Sequence, residues 1–468
     1  MRLMMALSLL GIAGCADKPP PAAAPTLETR TSSAEVVRDG DSWTVDFRFG
    51  QASPAWLFTN GSVSREGRQP WRPGSWTVET PGVRIERRGR HDVLFAESGN
   101  VPERVRVRFR PVTVDLIAEY DPALLFTDGS VALWSAHFHL VPVASAQAAT
   151  ALPLDLNGTR FPGNGSQVTF RDTGGRVLHI GRRFDSATLI GGRAYVLFGT
   201  LEPVVSPDIA TVIDPALPGW LKRELAQSTP AILKQLTEWL GPHGGSTPTL
   251  LVSWRGPTAG LESMGGSTLP TQIAITFEGI GVVAENERVR AGARTFIAHE
   301  SAHYWLGNVV RYEMARDAWI MEGGSDLLAI RTIDAIDPAY DARPWLQSLL
   351  NECAALAVRP VASAGERGDN RAYYACGAVF GMVAEAASRQ PFPAYVRRLI
   401  DANRAEGVLT RAEWLDALDA ASGKPALRRD MELLLDQGAA EPGPVITRLL
   451  KESGIPHEIG PGGIPRLQ

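Results

Sequence analysis

Two histidines four residues apart, and a glutamate further along the chain, constrain the fold of this sequence most. The segment His299–His303 reads HESAH, and Glu322 follows after 18 intervening residues. On a helix, residues i and i+4 lie on one face about one turn apart, so both imidazoles can reach the same point. The apolar stripe through Phe296 and Ile297 predicts such a helix, with Gly307-Asn308 as its end. A second, antiparallel helix beginning near Trp319 would bring Glu322 to that point.

This set of side chains has the chemistry of a metal site. Neutral imidazole and carboxylate both bind Zn²⁺, and two histidines with one glutamate leave the fourth position open, as in catalytic zinc sites. Glu300 adjoins the first ligand and can act as general base. Asp326 lies one turn after Glu322 and can accept the free ring N–H of His299, which would fix its tautomer; a surface acid is the alternative. The sequence therefore predicts one zinc ion per chain, held by His299, His303 and Glu322.

The motifs also resemble those of a known family. Residues 299–310 read HESAHYWLGNVV and resemble the HExxHxWFGNxV stretch of the aminopeptidase N family, while WIMEG at 319–323 resembles its WLNEG stretch at the same spacing. The glycyl aminopeptidase family is also close. The resemblance extends over residues 254–378 and implies a gluzincin zinc metallopeptidase with a thermolysin-like catalytic domain.

Two further positions follow from this resemblance. Tyr374 matches the tyrosine of a Tyr-x-x-Gly stretch that stabilises the tetrahedral intermediate, and the adjacent Tyr373 is its rival. Where the family has Gly-x-Met-Glu-Asn, whose glutamate binds the substrate's α-amine, this chain has Met264-Gly265. The amine anchor is therefore either missing or displaced to Glu262, and this strand is the predicted substrate-binding segment.

Composition limits the remaining possibilities. The chain has 468 residues, 44% of them hydrophobic, with 47 basic and 51 acidic side chains. The near-balanced charge gives no basic footprint for nucleic acid, and no apolar run is long enough to span a membrane. We expect a multidomain α+β protein with a β-rich N-terminal domain (36–205), a catalytic domain (206–340) and a helical C-terminal domain with a Gly/Pro-rich, solvated tail (341–468).

The N-terminus predicts export. Residues 1–14 read as a signal peptide, and Leu10–Cys15 resembles a lipobox, in which Cys15 is acylated; a plain secretory signal is the alternative. A Pro/Ala-rich linker (15–35) would follow. Ala16, rather than aspartate, follows the cysteine, which favours the outer membrane, facing the periplasm. In that compartment Cys353 and Cys376 can form a disulfide, although two buried thiols are equally compatible with the sequence.

The predicted function is an exported, lipid-anchored zinc metallopeptidase acting on peptides or proteins. A non-catalytic lipoprotein that uses the fold as a binding platform and a zinc hydrolase of a small non-peptide substrate remain alternatives. His137 and His139 are expected two apart on one strand face, as ordinary strand histidines; a pair of metal ligands is the alternative, which the lack of a cysteine or acid at ligand spacing disfavours. The sequence does not indicate whether the protein is a monomer or an oligomer.

Overall fold

The computed structural model describes residues 32–468, except 118, 157, 164, 206–208, 244–247 and 270. The predicted signal peptide, Cys15 and the linker up to residue 31 lie outside the described residues. The first strand begins at Ser32, inside the predicted linker. Among the described residues, no helix has the length and apolarity that a membrane crossing requires.

The N-terminal half is built from strands, as alternating apolar and polar residues predict. Its elements are β1 (Ser32–Asp39), β2 (Ser42–Phe49), β3 (Ala55–Phe58), the short α1 (Arg72–Ser75), β4 (Trp76–Val78), β5 (Val83–Arg88), β6 (His91–Ala96), β7 (Arg104–Phe109), β8 (Ala123–Leu125), β9 (Val131–Trp134), β10 (Leu140–Val143), β11 (Ser166–Asp172), β12 (Val177–His179), β13 (Arg182–Phe184), β14 (Ser186–Ile190) and β15 (Tyr195–Phe198). In the described residues they form a six-stranded sheet (β14-β11-β1-β2-β7-β4), a four-stranded sheet (β10-β3-β6-β5) and a five-stranded sheet (β13-β12-β15-β9-β8). Aromatic residues such as Phe47, Trp56 and Phe170 fill the core between them.

The middle of the chain is an α/β unit. It comprises β16 (Val204–Val205), β17 (Ala210–Ile213), α2 (Gly219–Leu240), β18 (Thr249–Trp254), β19 (Ser263–Leu269), β20 (Gln272–Glu278), α3 (Ile280–Val283), α4 (Glu287–Ala302) and α5 (Trp319–Ile336). The sheet order is β16-β17-β18-β20-β19, and β19 is an edge strand antiparallel to β20. Asn286 caps α4 by accepting a hydrogen bond from the backbone N–H of Val289.

The C-terminal part is helical. It contains α6 (Arg343–Leu356), α7 (Ala364–Arg367), α8 (Arg371–Ser388), α9 (Phe392–Asn403), α10 (Arg411–Ser422), α11 (Pro425–Asp436), α12 (Pro442–Ser453), β21 (His457–Ile459) and β22 (Pro465–Leu467). The predicted multidomain α+β class is thus confirmed.

Two glycines let α5 and α8 cross closely. A Cβ atom on Gly377 would lie 2.1 Å from the backbone oxygen of Trp319, and one on Gly323 would lie 2.3 Å from the Cα of Gly377. Any side chain at either position would push the helices apart. Because α5 carries Glu322 and α8 carries Tyr374, this contact sets the position of one side chain relative to the other.

Three local expectations are corrected. His137 lies in a 3₁₀ turn (Ser135–Phe138) rather than in a strand, because β9 ends at Trp134. Its ring packs against the rings of Trp71 and Trp134. His139 follows this turn, so the two histidines share no strand face. Helix α4 ends at Ala302 and not at Gly307, because its last turn tightens into i→i+3 hydrogen bonds.

The C-terminal tail is the third correction. It is not simply solvated, because β21 pairs with β22 and the side chain of Gln347 in α6 bonds the backbone of Pro465 and Leu467. The sequence left two states open for Cys353 and Cys376, and the structure has them joined in a disulfide between α6 and α8.

Candidate active site

The two predicted helices bring His299, His303 and Glu322 together. The Nε2 atoms of the two histidines lie 3.0 Å apart. Oε2 of Glu322 lies 3.5 Å from Nε2 of His299 and 3.4 Å from Nε2 of His303. His303 is the C-cap of α4 and keeps helical backbone angles, so the one-turn spacing holds although the helix ends before it.

This cluster fits a zinc ion. One ligand atom from each of the three residues lies within 4.8 Å of the others. Oε2 of Glu322 is buried and accepts no hydrogen bond. Burial raises the pKa of Glu322, but the two histidines outweigh it and hold the pKa well below its ordinary value. A buried, ionised carboxylate oxygen without a donor is costly unless a cation meets it, which is what a metal at this point would do.

The far sides of both imidazoles have partners. Nδ1 of His303 donates to the carbonyl oxygen of Leu306 at 2.8 Å, with Ser325 Oγ also 3.2 Å away, which leaves Nε2 free to bind a metal. Nδ1 of His299 lies 2.8 Å from Oδ1 of Asp326, although the ring N–H is not well aligned with that oxygen. Burial lowers the pKa of His299, but Asp326, Glu322 and Glu300 together outweigh it and raise the pKa well above its ordinary value.

Glu300 lies beside the cluster and is buried. The hydroxyl of Thr268 on β19 donates to the backbone carbonyl oxygen of Glu300, and Oε2 of Glu300 lies 3.1 Å from the same hydroxyl. Burial raises the pKa of Glu300, while His299 and His303 act in the opposite direction. The structure thus places a carboxylate of raised proton affinity next to the metal position.

The structure separates the two tyrosines. The ring of Tyr374 stacks against that of His299 with 5.5 Å between centroids. Burial, with the nearby charge of Glu322, raises the pKa of Tyr374 well above its ordinary value, so its hydroxyl stays protonated. Tyr373 faces away from the zinc ligands, because its hydroxyl donates to Ala362 O and accepts from Gly365 N, both at 3.1 Å.

Arg371 links several of these groups. Its guanidinium lies 5.3 Å from the centroid of the Tyr374 ring, 3.6 Å from Asp326 and 2.7 Å from Glu352.

Sequence reasoning missed Arg371, Thr268 and Ser325. Arg371 lies one helical turn before Tyr374, which was a usable signal, whereas Thr268 depends on how β19 packs beside α4.

The predicted substrate-binding strand is β19. Gly265 is exposed, and a Cβ there would meet no atom within 4 Å. Met264 is partly buried and packs against the core. The carboxylate of Glu262 pairs with the guanidinium of Arg288, so this candidate anchor already has a cationic partner.

The three proposed ligands, Glu300 and Tyr374 all line one cleft of about 2150 Å³. Its walls come from the β-rich half, from β19 and from the helical part, and they include Tyr120, Arg193 and Tyr374. A cleft of this size exceeds the 300–1,000 Å³ typical of small-molecule sites.

In this structure two helices bring two histidines, a glutamate and a candidate general base together beside an edge strand. This is the arrangement expected of a zinc metallopeptidase of the gluzincin class. Residues 257–428 match the sequence model of the peptidase family M1 domain. This segment is therefore similar to an M1 zinc metallopeptidase domain, and its cluster of His299, His303 and Glu322 suits one zinc ion, as the motifs predicted. One relative is tricorn protease-interacting factor F2 of Thermoplasma volcanium, 29% identical over 84 residues. That match spans 17% of this chain and 11% of the relative.

Solved structures agree on the fold. An aminopeptidase N family protein from Idiomarina loihiensis has a TM-score of 0.61 and 12% identity, with 91% of this chain and 79% of that chain covered. Native leukotriene A4 hydrolase from Saccharomyces cerevisiae has a TM-score of 0.52 and 14% identity, with 91% and 71% covered. At these identities the likeness concerns the fold.

Proposed function

We propose that this protein is an exported zinc peptidase that hydrolyses peptide bonds in its open cleft and depends only weakly on a free amino terminus. The observation that carries the proposal is the convergence of His299, His303 and Glu322 beside the buried carboxylate of Glu300. The size of the cleft supports a peptide rather than a small non-peptide substrate.

Each residue has a role in the proposed reaction. His299, His303 and Glu322 would hold the zinc ion, and Asp326 would orient His299. When bound, zinc supplies Lewis-acid chemistry, polarising the scissile carbonyl and lowering the pKa of water towards about 7. Glu300 takes the proton of the attacking water and later passes it to the leaving amine.

Tyr374 acts on the substrate oxygen. Its hydroxyl stays protonated, so it donates a hydrogen bond to the oxyanion that develops as water attacks the carbonyl. Burial within the cleft strengthens such a bond, because the local dielectric is lower than that of water. Tyr373 is not proposed for this role, since its hydroxyl already bonds the backbone elsewhere.

The weak dependence on a free amino terminus rests on β19. Gly265 supplies no carboxylate, and Glu262 is paired with Arg288. An α-ammonium group therefore finds no free carboxylate on this strand. The backbone of β19, an edge strand, remains able to pair with an extended peptide.

The deciding experiment is digestion of a peptide library by the zinc-loaded wild type and by Glu300→Gln, read by mass spectrometry. We expect cleavage by the wild type and about a 10²–10⁴-fold loss in Glu300→Gln, because a general base contributes this much. Zinc content should stay at one ion per chain in the variant, since no ligand is touched. Near-wild-type hydrolysis by Glu300→Gln would refute the mechanism, and zinc binding without any hydrolysis would favour a binding platform.

Export and lipidation are part of the proposal. Leu10–Cys15 resembles a lipobox, and 16 residues separate Cys15 from the start of β1. The Pro/Ala-rich composition of this segment is typical of a tether between a lipid anchor and a domain. We propose anchoring in the outer membrane, facing the periplasm. A Cys15→Ser protein should leave the membrane fraction, and its retention there would contradict the anchor.

A further inference from the structure

The β-rich half contributes a wall of the cleft close to the proposed base. Tyr120 donates from its hydroxyl to the backbone oxygen of Thr268 at 3.1 Å, and its ring lies 4.6 Å from that of Trp134. Thr268 in turn bonds Glu300. Only one residue therefore separates this wall from the group that is proposed to move the proton.

Arg193 belongs to the same wall, and its backbone is held firmly. The neighbouring Ala194 donates its N–H to the hydroxyl of Ser135, and the N–H of Ser135 donates to Ala194 O, both at 3.0 Å. Tyr195 is fixed through its backbone N–H and C=O by the side-chain amide of Gln272, at 2.6 and 2.7 Å. These bonds fix the backbone of Arg193 beside Trp134, next to the cleft.

The guanidinium of Arg193 is exposed to the cleft and has no carboxylate partner among the described residues. Of the other arginines of the cleft, Arg255 pairs with Asp121 and Arg371 with Glu352, whereas Arg68, Arg90 and Arg311 also lack a carboxylate partner among the described residues. Burial and the negative charges of Glu322 and Asp155 raise the pKa of Tyr312 to about 12, and the positive charge of Arg193 opposes this rise. Arg193 and the metal-site residue Glu322 therefore both act electrostatically on Tyr312.

The strand that faces this wall offers no compensating negative charge. Successive side chains of a strand point to opposite faces, so Gly265 shares a face with Leu269, which packs with Trp134 and Tyr195. Gly265 therefore faces the wall and presents only open space. Of the other acids that line the cleft, Glu313 and Glu366 act on Asp317 and Tyr373 on the helical side, whereas Asp155 acts on Tyr312.

We propose that Arg193 binds a carboxylate of the substrate, so that the enzyme selects acidic peptides. A guanidinium offers a planar pair of donors that matches a carboxylate. The carboxylate comes either from an Asp or Glu side chain near the scissile bond or from the C-terminus of a short peptide. This inference rests on the proposed peptidase function and deepens it by naming the substrate class.

The test uses matched peptides and the zinc-loaded protein. One series carries Glu, Gln or Lys at each position around the cleaved bond, and a second compares free with amidated C-termini, with kcat/KM measured for each. We expect the wild type to prefer the carboxylate over its amide by about tenfold, the lower end for a charge-assisted hydrogen bond because Arg193 is exposed. Arg193→Ala should abolish the preference, and Arg193→Glu should shift it to Lys. Arg182→Ala, an exposed arginine of β13 outside the cleft, is the control and should keep the wild-type preference.

The outcomes separate this inference from the proposed function. Active wild type without the preference, or an unchanged preference in Arg193→Ala, would overturn the role of Arg193 and leave the peptidase intact. Sensitivity to C-terminal amidation alone would assign the carboxylate to the peptide terminus, and sensitivity to Glu→Gln alone to a side chain.

Complete inactivity of the wild type would instead refute the peptidase. The role of Arg193 would then be decided by calorimetric binding of the same peptides to the zinc-loaded Glu300→Gln protein. Tighter binding of the acidic peptide than of its amide, lost in Glu300→Gln/Arg193→Ala, would support the role of Arg193. Equal dissociation constants for the two peptides would overturn it.

Discussion

Substitution of Gly377 by alanine should damage both the stability and the activity of this protein, because of where α5 and α8 cross. The added Cβ would lie 2.1 Å from the backbone oxygen of Trp319 and 3.0 Å from the Cα of Gly323, whereas ordinary contact begins at 3.4 Å. Both atoms belong to the backbone, so no side chain can rotate away. The helices would have to separate by about 1 Å.

The size of the effect follows from this geometry. Overpacking of a core costs about 1–3 kcal/mol, and a backbone clash belongs at the upper end. In a folding unit of about 150–250 residues, a loss of about 3 kcal/mol in the free energy of unfolding lowers the Tm by about 6–12 °C. The same displacement moves Tyr374, one turn earlier on α8, relative to the metal position. A misplacement of about 1 Å can cost about a hundredfold in rate.

The assay combines a thermal melt, zinc content and kcat/KM on one peptide. We expect Gly377→Ala to bind zinc, melt earlier and lose most of its kcat. The matched control is Gly219→Ala in the first turn of α2, where the nearest atom to a new Cβ is 3.8 Å away and alanine favours the helix. A Gly377→Ala protein with wild-type Tm and kcat/KM would show that the helices do not depend on this contact.

Three further predictions test the site and its supports. Asp326→Asn should weaken zinc affinity about 10–100-fold in a chelator competition, because it removes the charge beside His299 Nδ1, and unchanged affinity would deny Asp326 a part in holding that ring. Acetylation of a peptide's amino terminus should change kcat/KM by less than about tenfold, since a lost charged hydrogen bond would cost about tenfold to a hundredfold or more; a larger preference for the free amine would contradict the absent anchor at Gly265. Replacing Cys353 and Cys376 together by alanine should lower the free energy of unfolding by about 3 kcal/mol in urea titrations, as expected for a closed loop of this length, and reductant should destabilise only the wild type.

The zinc site could be predicted from the sequence because its geometry is local. A spacing of four residues places two histidines on one helix face whatever surrounds the helix, and residue type alone fixes which ligands a metal accepts. The alternation of apolar residues likewise predicted the β-rich half, since a half-buried strand requires it. The third zinc ligand, Glu322, was also predictable, because its helix begins at Trp319, only a short loop after His303.

The tertiary structure alone decided what depends on distant segments. The hydrogen bond from Thr268 to Glu300 joins an edge strand to a helix, and Arg193 lies at the cleft because its neighbours Ala194 and Tyr195 bond Ser135 and Gln272. Which of the two tyrosines lies beside His299 depends on how α8 is rotated against α5, and the close contact of Gly377 with Trp319 constrains that rotation. No periodicity records such contacts, because each forms between elements whose separation along the chain says nothing about their distance in space.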